Sequence, residues 1–179
     1  MRRLFIGVNF TNEEKEHFAL VQDILKKYCD RAKYTRKENF HLTFKFLGLI
    51  PDEMEEKLIE IINTMEFENL TIQTEHIGFF SKKRGYIAYI GFKIQPELAK
   101  LVTDLNNTLM DVGVVEKDEF IYTPHITLSR NTHFLVPLVD VSKGLDIEKE
   151  LPITNITLFE SINIDGVLTY RPLYTRKVI

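Results

Sequence analysis

The sequence predicts an α+β fold with antiparallel sheets and helices packed on one side of them. Three observations carry that reading: hairpin and meander connections dominate, helical segments fall between groups of strands, and no glycine-rich phosphate loop marks a doubly wound parallel sheet. At 179 residues, with no linker or composition break, the chain is expected to form one domain over 1–179.

Residues 3–10 are β-rich, and Thr11-Asn12-Glu13-Glu14 reads as a capping box, in which Thr and Glu satisfy each other's free backbone donors. The helix that follows carries Phe18, Val21, Leu25 and Tyr28 at helical spacing. After a short β segment, residues 41–48 alternate with period two. This places Leu42, Phe44 and Phe46 on one face and His41, Thr43 and Lys45 on the other. Pro51-Asp52 opens a second helix whose buried side is Met54, Leu58, Ile61, Ile62 and Met65. Strands over 70–80 and 85–92 flank the basic turn Ser81-Lys82-Lys83-Arg84-Gly85. Pro96 starts a third helix with the stripe Leu98, Leu101, Val102, Leu105 and Leu109, and Gly113 stops it. Residues 124–130 alternate again, while 131–152 reads weakly, with a short helix inside 136–144. Strands 153–164 and 167–176 close the chain around Asp165-Gly166, a pair suited to a two-residue hairpin turn.

Composition narrows the function. Lys and Arg number 23 against 26 Asp and Glu, a net charge of -3, which argues against a protein that grips long nucleic acid by neutralising many phosphates. Residues 51–70 hold seven acids (Asp52, Glu53, Glu55, Glu56, Glu60, Glu66, Glu68) against Lys57, so the rest of the chain carries +3 and is expected to hold about one to three phosphates. The single cysteine, Cys29, excludes an internal disulfide and a cysteine-based zinc site. No apolar run approaches the roughly 18 residues of a membrane span, and the opening Met1-Arg2-Arg3 is not followed by a cleavable leader pattern, so a reducing cytoplasm is expected.

The informative feature is a pattern written twice, His41-Leu42-Thr43-Phe44 and His125-Ile126-Thr127-Leu128, 84 residues apart. Two apolar-flanked copies arise by chance in roughly one such sequence in several hundred. In a strand, His and Thr two apart share a face while the apolar residues anchor the other in a core. Two such strands facing one cleft offer two groups titrating near neutrality and two neutral donors. That constellation suits a phosphodiester: one imidazole takes a proton from water, the other gives one to the departing oxygen, and the threonines hold the non-bridging oxygens. It needs no metal or other cofactor. Two histidines so far apart, with no adjacent carboxylate, also lack the three or four ligands zinc requires. His17, His76 and His133 have no such pattern and read as structural. Lys45 and the Lys82-Lys83-Arg84 turn read most simply as solvated, with RNA steering the functional alternative for the turn.

The two His-x-Thr elements, the strings His41–Gly48 and Pro124–Arg130, the opening Arg3-Leu4-Phe5-Ile6-Gly7-Val8 and the closing Leu158-Phe159-Glu160-Ser161 together resemble the two-histidine (2H) phosphoesterase superfamily. Within it, the chain looks like the bacterial and archaeal RNA 2',3'-cyclic phosphodiesterases, historically named 2'-5' RNA ligases. The resemblance implies a bilobal, pseudo-twofold LigT-like fold: two intertwined lobes, an antiparallel sheet in each with helices on the outer side, and a central active-site cleft. It implies hydrolysis of RNA 2',3'-cyclic phosphodiester ends to 2'-phosphomonoesters, with His41 as proton donor and His125 as proton acceptor. Thr43, Thr127, Arg130 and Tyr122 would contact substrate. Strict alternation puts Arg130 on the face opposite His125, and only a strand end or bulge would bring it to the cleft. Thr123 stands where the family often has a basic residue. The expected partners are RNA termini or small cyclic nucleotides, bound by a monomer with no membrane involvement. Two alternatives stand: a 2'-5' RNA ligase or 2H phosphodiesterase for another cyclic nucleotide or 2'-5' linkage, and a non-catalytic RNA-end binding module.

Overall fold

Two interleaved antiparallel sheets share the strands of the chain. In a computed structural model, which describes residues 1–66, 70–117, 121–145 and 147–178, β1 (Arg2–Asn9), β3 (His41–Ile50), β8 (Asn155–Ile164) and β9 (Val167–Lys177) form a sheet in the order β3-β1-β8-β9. The second sheet has the order β2-β6-β5-β4-β7, from β2 (Cys29–Tyr34), β4 (Leu70–Lys82), β5 (Gly85–Phe92), β6 (His125–Phe134) and β7 (Glu150–Ile153). Glu68, in the acidic stretch, lies outside the described residues. Neither sheet is contiguous in sequence: β2 crosses from the first half into the second sheet, and β8 and β9 return to the first. The sheets carry one His-x-Thr strand each, β3 and β6, and these two strands lie against each other.

Helices α1 (Asn12–Lys26), α2 (Glu55–Thr64), α3 (Pro96–Asp111) and α4 (Leu138–Lys143) form where capping and apolar stripes predict them. The Thr11–Glu14 capping box is present, with Glu14 N–H donating to Thr11 Oγ1 at 3.2 Å and Thr11 N–H to Glu14 Oε2 at 2.7 Å. A 3-10 turn over Asp52–Met54 leads into α2. One continuous apolar core joins Leu4, Ile6 and Val8 of β1, the helix stripes and Ile72, Ile90 and Ile126 of the second sheet. Asp165 and Gly166 both take positive φ, 51° and 83°, as a two-residue turn between β8 and β9 requires.

Three parts of the sequence reading change. Strand β6 runs on to Phe134, and β7 forms within the stretch that reads weakly. Phe46, expected on the core face, is 64% exposed. The cause is register. Between Thr43 and Lys45, β3 carries one residue more than β1 carries between Gly7 and Ile6, and such a bulge turns the side chains that follow to the other face, as far as a second irregularity at Leu47.

Gly7 of β1 is paired with Thr43 of β3. A Cβ at Gly7 would stand 2.1 Å from Leu42 O, a backbone atom that cannot swing aside. Gly7→Ala is therefore expected to cost about 1–3 kcal/mol, the range for overpacking, read as a lower midpoint in chemical denaturation. An unchanged midpoint would show that the two strands separate without penalty.

Candidate active site

Each histidine sits at the first position of its strand, His41 just after a 3-10 turn over Lys37–Asn39 and His125 after a loop. His41 Nδ1 lies 2.7 Å from Asn39 O, and His125 Nδ1 lies 2.7 Å from Thr123 O. A carbonyl only accepts, so Nδ1–H donates in both rings and Nε2 is left as the nitrogen that titrates. Thr43 Oγ1 stands 3.0 Å from His41 Nε2, within reach to donate to it. Asn39 is itself anchored: its side-chain amide donates to Leu168 O at 2.8 Å, and its Oδ1 accepts from Tyr170 N–H at 3.1 Å, tying the entry of β3 to β9.

Aromatic rings hold the imidazoles laterally. Phe5 and Tyr170 flank His41 with centroids 4.8 Å away, and Phe80 and Tyr89 flank His125 at 5.3 Å. His41, Thr43, Phe46, His125, Thr127, Arg130 and Tyr170 line one cleft of about 200 Å³. The duplicated pattern thus converges on a common space.

Arg130 reaches that space by a bulge. Ala88 pairs with Ser129 and Tyr89 with Thr127, so Leu128 is the extra residue in β6, and the bulge restores Arg130 to the face of His125 and Thr127. Leu128 O is satisfied by Thr35 N–H at 2.9 Å and by the buried Gln22 amide at 2.8 Å, which holds the irregular backbone in place. The bulges of β3 and β6 correspond: Phe46 and Arg130 each stand five residues after their histidine, and both line the cleft. Aligning the two repeats with one inserted residue each would have found Phe46. Nothing in the sequence points to Tyr170, which the β8–β9 hairpin brings in from far along the chain.

Tyr122 is placed differently. It is not among the residues lining the cleft; its hydroxyl donates to Thr43 O at 3.0 Å, and burial pushes its phenol pKa up. It clasps the loop before β6 to β3.

Electrostatics disfavour charge on both imidazoles in the free protein. Burial, with smaller contributions from His125, Arg130 and Lys15, outweighs the Asn39 carbonyl and pushes the His41 pKa down to about 4. Burial, helped by Arg130, likewise lowers that of His125. Among the described residues, no group of three or more His, Cys, Asp or Glu is placed to hold a metal ion, and no helix is long and apolar enough to cross a membrane.

Comparison with known proteins identifies the family and the fold. The model of the LigT-like phosphoesterase family matches residues 9–89. A Methanocaldococcus jannaschii protein known as RNA 2',3'-cyclic phosphodiesterase is 32% identical over 145 residues, covering 80% of this chain and 76% of that protein. One of the same name from Archaeoglobus fulgidus is 26% identical over 165 residues, covering 89% and 91%. Among solved structures, Escherichia coli LigT in complex with 3'-AMP superimposes with a TM-score of 0.80 at 22% identity, covering 99% of this chain and 98% of that one.

A neutral, half-buried His41 has a consequence for stability. Between its folded pKa of about 4 and the ordinary value of 6.5, the unfolded chain takes up a proton that the folded chain refuses. Its contribution is therefore present above pH 6.5 and lost as pH falls toward 4. The drop in Tm over that interval is expected to be smaller in His41→Gln than in the parent protein; equal drops would contradict a depressed pKa.

Proposed function

The chain belongs to the LigT-like phosphoesterase family, and on that premise we propose that it hydrolyses RNA 2',3'-cyclic phosphodiester ends to 2'-phosphomonoesters by metal-independent general acid–base catalysis. The observation that carries this reading is the pair of Nδ1-anchored imidazoles, each with a threonine two residues on, lining one cleft.

Water attacks phosphorus as His125 Nε2 accepts its proton. The P–O3' bond breaks, and His41 Nε2–H returns a proton to O3', leaving a 2'-phosphomonoester and a free 3'-hydroxyl. The direction of the two transfers follows the family resemblance. Thr43 and Thr127 donate to the non-bridging oxygens, and Arg130 contributes a permanent positive charge facing the phosphate. Tyr122 acts as a positioning residue through the Thr43 carbonyl. Both His-x-Thr elements come from one chain, so a monomer working as a single unit over 1–179 suffices for the reaction; its proposed setting is RNA ends in the cytoplasm.

The depressed pKa of His41 fits the role of acid when substrate is included. The free site keeps His41 neutral, while a bound phosphodiester anion offsets the neighbouring positive charges and raises its affinity for a proton. The acid is loaded as substrate arrives.

Replacing either histidine by alanine is expected to lower turnover of a nucleoside 2',3'-cyclic phosphate by about 10²–10⁴-fold. Phosphorus NMR should show a 2'-phosphate as product, unaffected by EDTA. A 3'-phosphate would point to a different scission, and no turnover to a binding module. Because kcat/KM reports the free enzyme, its bell-shaped pH profile should peak below pH 6.5, with apparent values belonging to the coupled pair. The kcat profile should peak at higher pH; a kcat/KM maximum well above 6.5 would contradict the assignment.

A further inference from the structure

Beside the catalytic cleft the surface changes character. An open groove of about 570 Å³ is walled by Arg31 and Lys33 of β2, Lys83 and Arg84 of the β4–β5 turn, and Asn131 and His133 near the end of β6. We propose that this groove is the bed for the RNA strand leading 5' from the cyclic phosphate, so that the preferred substrate is a polynucleotide end rather than a free mononucleotide. The proposal rests on the catalytic reading above and specifies its substrate.

Continuity is the first argument. Lys33 also lines a pocket of about 260 Å³ that reaches His41, Thr127 and Arg130, so groove and catalytic centre form one path. The ladder between β2 and β6 pairs Lys33 with Arg130 and Arg31 with His133. Arg130, Lys33 and Arg31 therefore follow a single pair of strands away from the cleft, over about 10 Å of β6 at the usual strand rise, and Lys83 and Arg84 join them from the β4–β5 turn.

Charge is the second. Among the described residues, Arg31, Lys33, Lys83 and Arg84 form no salt bridge, whereas Arg2, Lys26, Lys57 and Lys100 elsewhere are each paired with a carboxylate. No acidic side chain among the described residues lines the groove. Its walls are also tied together: a carbonyl only accepts, so His133 Nε2–H donates to Arg84 O at 3.1 Å and links the turn to β6, while the β2–β6 ladder holds Arg31 opposite His133. A pre-set row of cations without carboxylate partners matches the repeated phosphates of a single strand, which would release counterions along it. The chemistry supplies the direction. A cyclic phosphate can only be a 3' end, so the remaining RNA must leave the cleft on the 5' side, and the pocket shared through Lys33 is an open way out.

The test compares Arg31→Gln/Lys83→Gln/Arg84→Gln with the parent protein on two substrates, a 2',3'-cyclic mononucleotide and a pentaribonucleotide with a 2',3'-cyclic phosphate end. The variant is expected to keep parental kcat/KM on the mononucleotide. Its KM for the pentaribonucleotide should rise about tenfold, and the salt slope of log KM should flatten by about 0.7 for each phosphate that no longer meets a cation. Parental KM and slope on the longer substrate would overturn the groove, as would a parent protein with no preference for it over the mononucleotide. A parent protein that turns over neither substrate would instead defeat the catalytic reading. If the triple variant loses mononucleotide turnover, Lys83→Gln/Arg84→Gln, confined to an exposed turn, decides the comparison by the same criteria.

Discussion

Everything at the site depends on two short hydrogen bonds from imidazole Nδ1–H to the carbonyl two residues earlier, Asn39 O for His41 and Thr123 O for His125. Because a carbonyl has no proton to give, each bond fixes the tautomer, the ring orientation and the identity of the working nitrogen at once. The surroundings keep those carbonyls still. Asn39 is bonded through its side chain to two backbone groups of β9, and the ring of Tyr170, next along that strand, packs on His41. On the other side Tyr89, paired with Thr127 across the ladder, packs on His125.

Burial of the two rings serves reactivity as well as placement. Burial and nearby cations make a proton on either imidazole costly; under the proposed reaction, an anionic phosphodiester would offset that cost. The acidic residues of 51–66 belong mainly to α2 and the turn before it, on a different element from the strands that bear the histidines. A slightly acidic protein can thus present a basic approach to its cleft.

The strand bulges link these features. Each His-x-Thr strand gains one residue just beyond its threonine, and each gain delivers the side chain five positions after the histidine, Phe46 or Arg130, to the shared space. One repeat contributes an aromatic ring and the other a guanidinium. The pseudo-symmetry of the backbone therefore supports an asymmetric site, as a reaction with distinct attacking and leaving oxygens requires.

Read alone, the sequence determined the helices, through capping residues and apolar stripes, the closing hairpin, through a residue pair able to take positive φ, and the four His-x-Thr side chains, because period-two alternation is a local rule. It led to the α+β class and to the family. It did not determine β7, which forms by pairing with β4, nor the faces of Phe46 and Arg130, since a bulge depends on the partner strand's count of residues as much as on its own. Nor did it determine the partner of the Tyr122 hydroxyl, which is Thr43 O. Tyr170, the Gln22 amide that holds the β6 bulge, and the row of cations from Arg130 to Arg31 come from segments distant in the chain. Tertiary structure alone decided these, because each depends on which strands meet and in what register, and that is settled by the shared core rather than by any one segment.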